Sequence, residues 1–190
     1  TSNLVPADGV LNAPDYTRTC TCSYQNQCSL ALVHMPDVET WTFHASKWTG
    51  KRVKQVGINF GAPGDKRDDD GVLWLDYPSV GGRSPDLPLE IKGTPLRYHR
   101  QHASTTRAAG HAWVQASGVE GVTSLKLTLS QDADVISRRH TVRLYFCEPG
   151  ELVRGRRVFD VALQGQNVLT GFDIAGSAKK EHWGVVREFN

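Results

Sequence analysis

A chain of 190 residues with 22 Lys and Arg against 20 Asp and Glu is long enough to bury a core and carries a formal charge of only +2, so length points to one domain with an appendage. No basic run interleaved with aromatics marks a phosphate-tracking stripe, which argues against nucleic acid as a partner. No apolar stretch approaches the ~20 residues of a membrane-spanning helix, and residues 1–9 (TSNLVPADG) have neither the charged start nor the apolar middle of a signal peptide, so an exported precursor is expected to begin upstream of Thr1.

Residues 1–52 are turn-rich (NAPDYTRTCTCSYQNQ), with one short apolar strand at Leu30 to Val33 and two tryptophans, Trp41 and Trp48, near the end. So few apolar residues read as an extension rather than a domain, with a linker at Ala45 to Arg52 and the main domain at 53–190. Three of the four cysteines, Cys20, Cys22 and Cys28, fall within nine residues, and Cys147 lies far downstream. Zinc sites favour paired C-x₂₋₄-C spacings, and a redox C-x-x-C is absent, so two disulfides and an oxidising compartment, secreted or periplasmic, are the expectation. A Cys20–Cys22 bridge would be a strained ring, which leaves Cys28 with Cys147 or Cys22 with Cys28 as the preferred pairings. Cross-links of this kind would make residues 1–52 a disulfide-stapled N-terminal extension.

Downstream, no window carries a sustained helical stripe, and 18 Gly and 9 Pro punctuate the chain. Strands are expected at Thr40 to His44, Val53 to Phe60, Leu89 to Ile91, Leu96 to His99, Ala112 to Ser117, Ser124 to Leu129, His140 to Glu148, Arg157 to Leu163 and Val185 to Phe189. In Val142 to Phe146 the apolar set Val142, Leu144 and Phe146 alternates with Arg143 and Tyr145, the pattern of a strand with one wet face. Gln164 to Asn167 supplies a hairpin turn after Arg157 to Leu163. Two such sheets packed face to face give an all-β, antiparallel β-sandwich.

Asp65 to Gly71 (DKRDDDG) reads as a solvated charged turn; its alternative is calcium through Asp68, Asp69 and Asp70, although consecutive aspartates lack the ligand alternation of an EF-hand. His99, His102 and His111 lie close enough in sequence for a three-imidazole copper or zinc site, but i and i+3 of a strand face opposite ways, and solvated or hydrogen-bonded histidines are the simpler reading. No G-x-S-x-G marks a nucleophile. Asp76, Glu148 and Asp160 are carboxylates with no evident catalytic partner, and Gly61 to Gly64 leads into acid rather than cradling phosphate. These absences favour a binding module over an enzyme. The aromatics carry more promise: Trp74, Tyr77, Tyr98, Trp113 and Trp183 fall at strand ends or loops, where flat rings beside polar groups stack on sugars, with core packing the competing role of Trp74 and Trp113.

Two blocks resemble malectin-like domains. One is Ile58-Asn59-Phe60-Gly61 with Asp70-Gly71-Val72-Leu73-Trp74-Leu75-Asp76. The other runs from His140-Thr141-Val142-Arg143-Leu144-Tyr145-Phe146-Cys147-Glu148 through Arg157-Val158-Phe159-Asp160-Val161 and Gln164-Gly165 to Val168-Leu169 and Phe172-Asp173-Ile174. The resemblance covers 53–190 and implies a jelly-roll type sandwich that binds polysaccharide or glycan without catalysis. It does not carry over the family's sugar site: Glu148 runs into Pro149-Gly150-Glu151-Leu152 with no aromatic pair, Cys147 replaces a small alanine, and the chain stops at Asn190 before the family's late loop and closing strand. Ligand contact is therefore assigned to Tyr77, Tyr98, Trp113, Trp183 and Asp76.

The stretch Ala13 to Gln27, with Leu30 to Pro36, resembles the tail of bacterial quinoprotein-like (PQQ-type) β-propellers, which implies that the chain is the C-terminal part of a larger secreted protein; no quinone cofactor can be assigned to these residues. The resulting expectation is a non-catalytic carbohydrate-binding module. Its alternatives are a docking domain that packs on an upstream β-propeller or a second copy, and a metal-dependent oxidoreductase using His99, His102 and His111.

Overall fold

Strands dominate the computed structural model, which describes residues 4–14, 29–33, 38–44, 47–80, 86–132, 138–148, 150, 153–179 and 183–190. The chain divides into two units, Thr1–Val38 and Glu39–Asn190, whereas composition placed the break at 52/53.

In the first unit β1 (Val5–Ala7), β2 (Val10–Ala13) and β3 (Leu30–Val33) form an antiparallel sheet in that order. Asp8 and Gly9, both at positive φ (48° and 76°), make the two-residue turn that pairs Ala7 with Val10, because left-handed turn residues match the twist of the flanking strands. The register puts Pro6, Leu11 and Leu32 on one face and Val5, Val10 and Val33 on the other, so both faces are apolar. Cys20, Cys22 and Cys28 lie outside the described residues, and Cys147 is a free thiol.

The second unit begins with a mixed sheet of β4 (Gly57–Phe60), β5 (Lys66–Arg67) and β6 (Leu73–Tyr77), ordered β4-β6-β5. β4 and β6 run parallel while β5 is antiparallel to β6, which corrects the expectation of a purely antiparallel fold. Residues 61–72 carry the chain back to the starting end of the sheet, so β6 repeats the direction of β4. Gly57 faces Trp74 across this pair, and a Cβ at Gly57 would overlap the indole; the missing side chain is the seat of the ring.

β7 (Leu89–Arg100) and β8 (Ser117–Leu127) form a long antiparallel pair. The two short strands expected at Leu89 to Ile91 and Leu96 to His99 are one strand, interrupted where Gly93 pairs with Val122 and Arg97 with Glu120. Thr94-Pro95-Leu96 thus opposes Gly121 alone, a bulge that accommodates a proline with no N–H to give to the ladder. Between β7 and β8 lie a 3₁₀ turn (Ala103–Thr105) and α1 (Ala112–Gln115). α1 corrects the strand expected at Ala112 to Ser117: Ala116 N–H donates to Ala112 O at 2.8 Å, closing a single helical turn.

β9 (Val142–Cys147) pairs along its whole length with β12 (Gly184–Phe189), and β10 (Val158–Leu163) with β11 (Gln166–Asp173). The expected hairpin turn is made by Gln164 and Gly165, at φ 50° and 83°. α2 (Ile174–Ser177) follows β11. Phe172, Ile174 and Val185 are the buried centre here, packed by Phe146, Phe159 and Leu169, with the three phenyl rings 5.0–5.7 Å apart. The described strands are all-β in class, with short helical turns only at the joints.

Candidate functional site

The charged segment after β4 is not a solvated turn throughout. Asp65 is fully buried: its Oδ1 accepts the Asp76 N–H at 3.1 Å, and its Oδ2 lies 3.1 Å from His44 Nδ1. Asp68 accepts the Val72 N–H at 2.8 Å and Trp74 Nε1–H at 2.9 Å, with His111 Nε2 at 3.6 Å. Burial alone would raise the Asp68 pKa, but these two donors, with help from His111, hold its carboxyl below the usual carboxylate value. Of the four aspartates, Asp69 and Asp70 are the exposed ones. Asp65 and Asp68 therefore spend oxygens on N–H donors of the fold.

Above Asp68 the rings form a nexus. Trp74 meets Tyr145, Trp113 and His111 edge-on at centroid distances of 5.3, 5.4 and 5.8 Å, and Trp41 meets Trp113 at 6.0 Å. The Lys66 ammonium lies 5.3 and 5.4 Å from Trp113 and Trp41, within cation–π range. Trp113, expected as a ligand contact, thus gives its ring to packing, and its carbonyl accepts from Asn59, which in turn accepts from Ser117. Tyr145, expected on a wet face, is half-buried against Trp74, so β9 packs through both faces at that point.

On the opposite face of β6 the structure brings together two residues that the sequence singled out. Tyr77, at the end of β6, and Tyr98, on β7, have ring centroids 6.5 Å apart, tilted at 52°, and Phe60 stands edge-on to Tyr77 at 5.8 Å. Tyr98 keeps 37% of its surface exposed. Partial burial, and then the neighbouring Tyr77, raise the Tyr98 pKa above its ordinary value, so its hydroxyl is a neutral donor and acceptor. Asp76 is buried and does not offer its carboxylate to solvent; its Oδ2 accepts the Val80 N–H at 3.3 Å and ties down the turn that follows Tyr77. Asp76 thus spends at least one carboxylate oxygen on the backbone next to Tyr77.

Trp183 stands apart from both groups. Its ring carries the Arg107 guanidinium at 5.7 Å, its backbone N–H donates to Arg107 O at 2.7 Å, and its backbone carbonyl accepts the Glu148 N–H at 3.0 Å. The three histidines are also separate in role. His99 lies over Gly118, with its Nδ1 buried and unpartnered; burial, its largest influence, lowers the His99 pKa. His102 Nδ1 caps the turn at Ser104 N, and His111 belongs to the ring nexus. Among the described residues no group of three or more His, Cys, Asp or Glu is arranged to hold a metal.

Two features escaped the sequence reading. Arg157 bridges Glu120 on β8 (2.8 Å) and the buried Glu148 after β9 (3.0 Å). Gln115, buried on α1, accepts the Ala109 N–H at 2.8 Å and donates to Phe146 O and Val185 O at 3.0 and 3.5 Å. Nothing in spacing signals either one, because the carbonyls that Gln115 reaches lie 31 and 70 residues away along the chain and the partners of Arg157 lie on separate elements. The carboxylates weighed for glycoside chemistry are all engaged structurally: Asp76 by Val80 N, Glu148 by Arg157, and Asp160 by Gly171 N at 2.7 Å.

No curated protein and no solved structure matches the chain. Residues 128–189, about a third of the chain and the segment holding β9 to β12, match the family model described as Malectin domain, which supports a malectin-like domain there.

Proposed function

We propose that residues 39–190 form a non-catalytic carbohydrate-binding module, a malectin-like sandwich, that meets its glycan at Tyr77 and Tyr98. The observation that carries this reading is the pairing of two tyrosines from different strands, 6.5 Å apart and tilted, one of them with over a third of its surface open. Such rings offer apolar faces to the C–H side of a pyranose, and their hydroxyls supply hydrogen bonds at its rim. The Malectin domain match over 128–189 supports the same class of ligand. Affinity electrophoresis through gels containing a panel of soluble polysaccharides tests it. Retardation by at least one glycan, lost in Tyr98→Ala and kept in Lys126→Ala, is the expected result; no retardation by any of them, or retardation indifferent to Tyr98, sinks the assignment. The cysteine spacing alone supports a secreted or periplasmic setting.

A second reading, docking, is favoured by one observation. The β1-β2-β3 sheet is apolar on both faces, and Val5, Leu32 and Val33 are each at least half exposed, the composition of a sheet made to be covered on both sides. An upstream β-propeller or a second copy would provide that cover. Light scattering that finds a monomer at all concentrations, unchanged by Leu32→Lys, would remove the second copy.

A further inference from the structure

The strand that presents Tyr77 also floors a groove. Leu73, Leu75 and Tyr77 alternate along β6 and share the face turned away from the Trp74 nexus. Leu73 and Leu75 form the floor of a half-open cavity of about 250 Å³, and Tyr77 follows Leu75 at roughly 7 Å along the same face.

The walls come from a segment fixed at several points. Trp48, Val53, Val56 and Leu87 line the same cavity as Leu73 and Leu75. Trp48 Nε1 donates to Lys51 O at 2.6 Å, which orients the indole. Val53 N donates to Leu129 O at 2.8 Å, and Gln131 N to Gly50 O at 2.9 Å, which anchors the segment to the chain just beyond β8. Residues expected to be a linker are therefore a wall. Lys47, Thr49 and Gln55 supply the polar groups of the lining, and none of the lining residues is acidic.

A sugar ring alone suits this lining poorly, since branched aliphatic walls leave hydroxyls without partners. A flat apolar group suits it well: the indole offers a ring contact, the leucine floor offers area, and the volume falls just below the range typical of drug-sized ligands. We propose that the groove is a subsite for an aromatic group attached to the sugar held at Tyr77 and Tyr98, so that the module's ligand class is aryl-substituted glycosides. This rests on the carbohydrate reading above and adds an apolar subsite beside it.

The test compares 4-nitrophenyl and methyl glycosides of glucose, galactose, mannose and xylose by calorimetry, with tryptophan fluorescence as a second signal, on the whole chain. For the sugar that binds, the 4-nitrophenyl form is expected to bind about tenfold tighter, the effect of partly burying one ring, and to quench fluorescence. Val56→Trp, which fills the groove, and Trp48→Ala, which opens it, are each expected to abolish that preference while leaving methyl glycoside binding in place. Tyr98→Ala should weaken both forms. Equal affinity for the two forms, or a preference that survives both groove variants, overturns the subsite while sparing the carbohydrate reading. Failure of every glycoside to bind overturns the two together.

Discussion

His99 shows how one side chain records the environment its strand folds into. Its ring lies on Gly118, its Nδ1 has no partner, and the charged groups that act on it are Glu120 from β8, Glu148 after β9 and Arg157 before β10. Burial outweighs the two carboxylates and sets its pKa below the ordinary 6.5, so the fold favours the neutral imidazole. The unfolded chain then binds the proton more readily, and the contribution of His99 to stability is present above pH 6.5 and lost as pH falls through its folded value. Unfolding free energies followed from pH 7.5 to 5 should decline, with a slope for this residue of at most about 1.4 kcal/mol per pH unit, reduced by screening at a partly exposed ring. In His99→Leu the decline should be shallower; an unchanged slope would refute the assignment. Cys147 is the complementary case. Burial, reinforced by Glu148, raises its thiol to about 11, so at neutral pH it is a packed apolar group rather than a nucleophile. Neither state can be read from the sequence, where His99 is one member of a histidine run and Cys147 one of four cysteines awaiting a partner.

At the scale of elements, legibility followed pattern. Leu30–Val33 has the bounds expected of it, and β9, β10 and β12 lie within a residue or two of theirs, because each is a run rich in apolar and β-branched or aromatic residues bounded by polar or turn residues. β6 was missed for a physical reason: Trp74 and Asp76 are buried on one face and Leu75 on the other, so Leu73–Tyr77 shows no wet face and no alternation. The β1–β2 hairpin was missed although Asp8-Gly9 is a strong turn signal. β7 was split in two because Gly93 and Pro95 look like a terminator, and only the partner strand shows that they form a bulge. The bulge depends on Gly121, which sits at φ 80° with the Pro95 carbonyl where a Cβ would stand. Gly121→Ala should destabilise the fold by about 1–3 kcal/mol, measured by chemical denaturation; the same change at Gly155, where nothing lies within 4 Å of the added carbon, carries the backbone cost alone and should do less. Equal losses at the two glycines would show that the carbonyl yields without strain.

For the molecule as a whole, the all-β class was visible in composition and in the density of turn residues, and so was the malectin-like character of the C-terminal part. The candidate site was half visible. Tyr77 and Tyr98 stand out by residue type and place near strand ends, but their pairing brings together strands of two different sheets, which no local pattern encodes. Asp76 is buried, and the partly buried Trp113 ring packs against Trp74 and Trp41, neighbours that no local pattern announces. The matched segment 128–189 likewise draws on residues outside it. Gln115 adds a side-chain bond to the carbonyls of Phe146 and Val185, and Glu120 takes one end of the Arg157 bridge. A fragment limited to 128–189 would lose the Gln115 bonds and one anion of Arg157 and uncover Tyr145, so it should stay unfolded by circular dichroism and amide exchange, while 39–190 folds. A cooperative transition in the short fragment would contradict this.

The Arg157 bridge bears on how such a protein can be cut and recombined. Its three charges come from separate stretches of chain, and one of them, Glu148, is almost wholly out of water. A graft that imports β9 to β12 into another scaffold keeps the Arg157–Glu148 pair but leaves behind Glu120, the second anion on this one-third-exposed cation. The seam for exchanging this part of the protein therefore lies ahead of Glu120, not at the edge of the recognisable sequence block.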